Sequence, residues 1–281
     1  MEVGRTDAPR EPRLRTVPGP EPAAAEERGD PALGTLEGLG GALVDAVSEA
    51  AGGGPVSLLF SGGLDSSLLA HLLIQAGTPF EAVAVGMPGS HDLSAAETAG
   101  TLLGIPVVSH ELAVGEVERT AVELRACHPS LSRGSLSVQV GLAAALAHAR
   151  HPRVLCGQGA DELFFGYSHF LSLGGAELKI RADSDLERLT GVDLPISRSI
   201  AQRYSKDLRA PYLAPSFVRA VRGSGLLSYE PVTRPKGLLR DLAGTMGLPP
   251  PLVERPKKAL QYGTGISRLL SRRPVPEETH A

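Results

Sequence analysis

The chain has 281 residues, 42% of them hydrophobic, and carries 28 basic against 31 acidic side chains for a formal net charge of −3. This length and apolar content supply a buried core for one large or two small domains, and the near-balanced charge gives no support to a nucleic-acid surface or an acidic tail. Cys127 and Cys156 fit neither a metal-ligand spacing nor a disulfide framework, so both are expected to be reduced and buried. The longest apolar runs, such as residues 138–147, fall short of the roughly 20 residues that a membrane span needs. The first residues lack the apolar core of a secretory signal, and a soluble, cytoplasmic protein is expected.

Residues 1–33, rich in Pro, Glu, Arg and Ala, hold too few large apolar groups to offset the entropy of ordering. They are expected to form a disordered tail, with residues 34–281 as the folded part. From Thr35, apolar residues at 36, 39, 43 and 47 follow helical spacing, which predicts a helix over 35–51 ending at the glycines 52–54. PVSLLF (55–60) reads as a fully buried strand, and DSSLLAHLLIQAG, beginning at Asp65, as a helix closed by Gly77. Next come a strand over 81–87, a helix over 93–104, a strand over 105–112, helices at 115–126 and 137–149, and a short strand over 153–157. Strands alternating with helices predict an α/β fold, a parallel sheet with helices on both faces. Beyond residue 160 no strand pattern stands out, and the remainder reads as helical with proline-rich connections.

The turn between the first predicted strand and its helix is SGGLDSS, residues 61–67. It falls at the carboxyl edge of the sheet, where open α/β folds bind ligands. Gly62 and Gly63 permit a sharp turn with exposed backbone N–H groups. Ser61, Ser66 and Ser67 add hydroxyls, and the helix N-terminus adds a partial positive charge, which together make a cradle for phosphate oxygens. The loop lacks the lysine of a Walker A motif, so the triphosphate-hydrolysing reading fails. The alternative is a plain glycine turn with Asp65 as a helix cap.

SGGLDSS resembles the SGGxDS pyrophosphate loop of the N-type ATP pyrophosphatases, which cleave ATP between the α and β phosphates. The resemblance implies ATP at this loop, with Ser61, Gly62, Gly63, Asp65 and Ser66 around its phosphates. It also makes Asp65 a ligand of Mg2+, a hard cation best held by carboxylate. A second stretch, VLCGQGADELFFGY (154–167), ends another predicted strand and therefore faces the same crevice; it resembles the GEGADExFGGY segment of the asparagine synthetase C-terminal domain. By that resemblance Asp161 joins Asp65 on the magnesium, Gly157 lies beside the nucleotide and Glu162 supports the site. The alternative makes Asp161 and Glu162 an N-cap and a first-turn acid of the next helix.

ERPKKALQYGTGISRLL (254–270) resembles the family's R-x-K segment followed by a glycine pair. Lys257 then matches the lysine that meets charge developing on the phosphate, and Arg255 holds the loop or touches pyrophosphate. A solvated basic turn is the alternative. KDLRAPYL (206–213) resembles the family's xExRxPFLD stretch with Asp207, Arg209 and Pro211 in register, although Arg209 equally suits a structural ion pair. PKGLLRDLA (235–243) resembles a K-x-x-L-R segment and is assigned no role. His91 and Asp92 read as loop and capping residues.

Three departures bear on what the resemblance implies. The full-length family begins with a glutaminase domain whose nucleophile is a cysteine directly after the initiator methionine, whereas here Glu2 follows Met1. Nitrogen is therefore expected from ammonia, another amine or a separate glutaminase subunit. The motif's glutamate is Gln158, an amide that forms hydrogen bonds but cannot take a proton. The aspartate that usually precedes the family's xExRxPFLD stretch is not recognisable around Arg198, and the PFLD-like stretch closes on Ala214.

The implied function is an ATP-dependent amide-forming ligase. A carboxylate, aspartate by resemblance, attacks the α phosphate, pyrophosphate leaves, and a nitrogen nucleophile displaces AMP, with Lys257, Asp65 and Gln158 as the catalytic set. The same chemistry on another acid and amine, as in peptide or lactam cyclisation, and a nucleotide-binding homologue without catalysis are the alternatives.

Overall fold

The computed structural model describes residues 34–255 and 263–272; the expected tail 1–33 and Lys257 lie outside the described residues. Helix α1 (Leu36–Ala51) starts where the sequence predicts, because the Thr35 hydroxyl accepts a hydrogen bond from the Gly38 N–H at 3.0 Å. It stops at Gly52, which takes the left-handed conformation that glycine adopts without a Cβ penalty. Leu39, Leu43 and Val47 form its buried stripe.

Five strands follow: β1 (Val56–Leu59), β2 (Phe80–Gly86), β3 (Val107–Glu111), β4 (Arg153–Leu155) and β5 (Asp207–Arg209). They form one parallel sheet in the order β3-β2-β1-β4-β5. Helices α2 (Leu64–Gln75), α3 (His91–Leu103), α4 (Val114–Cys127) and α5 (Arg133–His148) connect the first four strands; α6 (Ala160–Leu163), α7 (Gly175–Arg188) and α8 (Leu194–Arg203) lie between β4 and β5, and α9 (Pro215–Gly223), α10 (Gly237–Thr245), α11 (Pro250–Val253) and α12 (Ile266–Arg272) follow among the described residues. β1 is central: Leu58 pairs with Ala82 of β2 on one side and with Leu155 of β4 on the other. The chain builds outward from β1 through β2 to β3, then returns to lay β4 and β5 on the opposite flank. This reversal makes the carboxyl ends of β1 and β4 the sheet's switch point, the position at which doubly wound sheets bind ligands.

Alternating strand residues supply two cores. On one face Val56 and Leu58 pack with Leu43 of α1, Leu68 and Leu72 of α2, Phe217 of α9 (Pro215–Gly223) and Leu242 of α10 (Gly237–Thr245). On the other, Val154 and Leu208 pack with Val117 of α4, Val140 of α5, Ile200 of α8 (Leu194–Arg203) and Ile266 of α12 (Ile266–Arg272). A sheet covered on both faces is why its strands read as near-continuous apolar runs.

The structure corrects three expectations. A strand does occur beyond residue 160: β5 has three residues and buries only Leu208, too short to leave an alternation in the sequence. Helix α5 begins at Arg133, four residues before the predicted start at 137. The Ser132 hydroxyl caps it by accepting from the Ser135 N–H at 3.1 Å, and its polar first turn shows no apolar period. Cys156 is buried, but Cys127 at the end of α4 is exposed. Among the described residues no helix is long and apolar enough to cross a membrane.

Where β3 meets α5, His110 stacks on His148 with ring centroids 3.8 Å apart. Burial, and then the neighbouring His148, lower the pKa of His110, against a smaller opposite pull from Glu81 and Glu116. The folded state thus binds this proton less readily than the unfolded chain, so stability is retained above the ordinary value of 6.5 and lost as the pH falls through the depressed folded value. Urea unfolding across that range should show a stability decline that His110→Gln makes shallower; an equal slope in both proteins would rule this source out.

Candidate active site

The loop after β1 has the geometry its glycines suggest. Gly62 sits at φ +67°, and a Cβ there would come 2.3 Å from the Ala95 carbonyl oxygen of α3, so only glycine allows the loop to lie against that helix. The Arg255 guanidinium joins the two by donating to the carbonyls of Gly62 and Ala95, each at 3.2 Å. Of the two roles expected for Arg255, the loop-holding one is therefore present. Gly63 is the N-cap of α2, which leaves Asp65 in the first turn rather than at the cap. Ser61 accepts from the Gly63 N–H at 3.4 Å, and its hydroxyl lies 3.4 Å from that of Ser66, which gathers both hydroxyls on the loop. The buried Tyr212 hydroxyl donates to the Asp65 carbonyl at 3.0 Å and fixes that turn from below.

The loop after β4 meets this turn edge to edge. A Cβ on Gly157 would lie 3.1 Å from that of Asp65. Gly159, in the left-handed region at φ +96°, is the N-cap of α6 (Ala160–Leu163), so Asp161 and Glu162 occupy its first turn. Glu162 is buried and accepts from the Tyr167 hydroxyl at 2.5 Å, a supporting rather than a ligating position. Burial and the Glu162 charge hold the Tyr167 phenol well above its usual pKa, so it remains a donor.

The Asp65 and Asp161 carboxylates share one partner that the sequence reading left without a role. Lys236 precedes α10 at φ +58° and is only 3% exposed. Its ammonium donates to both Asp65 oxygens, at 2.6 and 2.5 Å, and meets an Asp161 oxygen at 2.8 Å. Burial alone would depress this ammonium, yet the two carboxylates outweigh it and its pKa is raised. Gly166 is the fourth member of the cluster. A Cβ there would fall 2.0 Å from an Asp161 oxygen and 2.4 Å from the Lys236 Cε, so glycine is what permits the close approach. The signal for Lys236 was present in PKGLLRDLA, but nothing in the local pattern says that this lysine is drawn inward across 171 residues to Asp65.

A cation therefore already sits between the carboxylates, and their hard oxygen donors suit a divalent ion such as Mg2+. Among the described residues no group of three or more His, Cys, Asp or Glu gathers around a metal position. Two carboxylates would leave the rest of such an ion's shell to phosphate oxygens or water.

The remaining expected residues divide as follows. Gln158 lies beside Gly157 but turns its carboxamide toward α8, where it donates to the Ser197 hydroxyl at 3.1 Å. Arg209 is paired with Asp207 at 2.8 and 2.9 Å on β5, which makes it a structural ion-pair residue.

Removing the ammonium should leave two facing carboxylates without compensation. Lys236→Met is expected to lose about 3 kcal/mol of stability in urea unfolding, the typical cost of breaking a buried ion pair from one side. Millimolar Mg2+ should recover part of that loss in the variant; a variant as stable as the wild type without metal would show that the carboxylates do not depend on Lys236.

The family model for asparagine synthase matches residues 38–190, more than half of the chain. A Methanocaldococcus jannaschii protein, named provisionally as asparagine synthetase [glutamine-hydrolyzing] 1, is 28% identical over 256 residues, which cover 76% of this chain and 47% of that protein. An asparagine synthetase [glutamine-hydrolyzing] of Sandersonia aurantiaca is 25% identical over 58% of this chain and 34% of its own length. The chain thus spans less than half the length of either relative. Among solved structures, a NAD+ synthetase from Burkholderia pseudomallei aligns with a TM-score of 0.34 at 18% identity, over 78% of this chain and 94% of that one. Together with the SGGLDSS and GQGADE loops meeting at the sheet's switch point, the family match places this chain in the asparagine synthase family.

Proposed function

We propose that this chain is an ATP-dependent ligase that activates a carboxylate as an acyl-adenylate and transfers it to a nitrogen nucleophile, releasing AMP and pyrophosphate. The observation that carries this reading is the convergence of Asp65 and Asp161 on one buried cation at the carboxyl ends of β1 and β4. Aspartate is the acid favoured by the names of the relatives, and asparagine the corresponding product.

The residues divide the work by chemistry. The backbone N–H groups of Gly62 and Gly63 and the hydroxyls of Ser61 and Ser66 donate to pyrophosphate oxygens, and the N-terminus of α2 favours the negative charge there. Arg255 keeps that loop against α3, and Gly157, whose missing side chain leaves room for Asp65, lies beside the nucleotide. Asp65 and Asp161 would hold Mg2+, which neutralises the pyrophosphate leaving group when bound. Lys236 supplies a further positive charge at the phosphates, and Lys257 stabilises charge developing at the α phosphorus. Nitrogen comes from free ammonia or from a separate glutaminase subunit.

A second reading keeps the chemistry and changes the partners. Gln158 brings a neutral carboxamide where the family motif has a carboxylate, which favours an acid and amine other than aspartate and ammonia.

Purified protein incubated with α-labelled ATP, Mg2+, aspartate and ammonium should yield AMP, pyrophosphate and asparagine. AMP formation only with another acid supports the second reading. Asp65→Asn and Asp161→Asn should each lower AMP formation by about a hundredfold or more, the scale of losing an electrostatic group at a developing charge. ADP and orthophosphate as products would overturn both readings.

A further inference from the structure

Gln158 is held by a buried network that the chemistry above does not use. Its carboxamide N–H donates to the Ser197 hydroxyl at 3.1 Å, while its carbonyl oxygen accepts from the Cys156 thiol at 3.6 Å. Ser197, fully buried on α8, also accepts from the Gln139 amide at 3.0 Å and lies 2.9 Å from the Asp193 carbonyl, to which it donates. That carbonyl belongs to the π-helical turn Leu189–Asp193 immediately before α8. A serine hydroxyl has one proton and two lone pairs; the two amides fill the lone pairs, and the proton goes to the Asp193 carbonyl or to the Gln139 carbonyl oxygen at 3.2 Å. The network therefore calls for an N–H donor at position 158, which glutamine has and an ionised glutamate lacks.

Burial pushes the Cys156 thiol up to about 11, so it stays neutral, and the charge that acts on it is the guanidinium of Arg198. The Asp193 carboxylate turns to Arg188 at 3.7 Å, and the Asp65 carboxylate is engaged by Lys236. The Gln158 carbonyl retains a second lone pair. It can accept an N–H from an amine but, being neutral, cannot take its proton.

We propose that Ser197 is a positioning residue that acts through Gln158 to present a neutral carboxamide to the nitrogen nucleophile, which is taken as an uncharged amine. This rests on the ligase reading. In the transfer step the amine lone pair forms the C–N bond, and the C–O bond to AMP breaks with its electron pair staying on the phosphate. The extra proton on nitrogen leaves to a phosphate oxygen of the departing AMP or to water.

Two measurements test it. In wild type, Ser197→Ala and Ser197→Thr, acid-dependent ATP–pyrophosphate exchange reports the first step, and the ratio of amide to AMP reports the second. Ser197→Ala should keep exchange within about twofold while its amide-to-AMP ratio falls about tenfold or more, the scale of a misplaced reacting group. Ser197→Thr, which keeps the hydroxyl, should restore it. In wild type, at limiting total ammonium, amide formation should rise about tenfold per pH unit below the ammonium pKa, and hydroxylamine, already neutral there, should show no such rise.

Equal loss of exchange and amide in Ser197→Ala would overturn the positioning role alone. A pH-independent rate with ammonium would overturn the uncharged amine. Wild type that forms no AMP with any acid overturns the ligase reading and the amine assignment with it. The anchoring is then judged by the 15N side-chain amide signal of Gln158, which should move in Ser197→Ala and return in Ser197→Thr; a signal unmoved in Ser197→Ala overturns the anchoring.

Discussion

The architecture of the site depends on the Lys236 ammonium lying between the Asp65 and Asp161 carboxylates. Two like charges brought together at the end of a parallel sheet repel, and in a partly desolvated crevice that repulsion is poorly screened. One buried cation removes the conflict and ties three distant segments together: the turn after β1, the first turn of α6 and the entry to α10. The positive φ of Lys236, the closeness of Gly166 and the Tyr212 bond beneath Asp65 all serve that one junction.

The junction is also where topology puts it. Because β2 and β3 lie on one flank of β1 and β4 and β5 on the other, the loops after β1 and β4 meet at the sheet's switch point, where doubly wound sheets bind ligands. Charged groups converging there can act on a ligand. The same groups elsewhere on the sheet would be covered by helices.

Much of this was legible in the sequence. The alternation of buried runs and helical periods gives β1 to β4 and the helices between them, since each repeats its pattern over several residues. Asp65 and Asp161 could be placed together because each follows a glycine turn at the end of a buried strand. β5 was not legible, for a three-residue strand with one buried side chain leaves no period. Lys236 was not legible for a different reason: its role is decided by a long-range ion pair, and an isolated lysine in a proline-rich loop looks like any solvated one. Arg209 shows the converse, since its match to a family motif is real but its guanidinium is spent on Asp207, two residues away. Motif register identifies which residues occupy a segment; only the fold decides which way each side chain faces.

The most direct test is a crystal structure of the protein with Mn2+ and α,β-methylene-ATP, located by anomalous scattering. The account predicts one manganese peak bonded to both Asp65 and Asp161, phosphates over the Gly62–Gly63 turn, and the Lys236 ammonium moved from between the carboxylates to a phosphate oxygen. Manganese bound elsewhere, or an ammonium still seated between the two aspartates with nucleotide present, would contradict it.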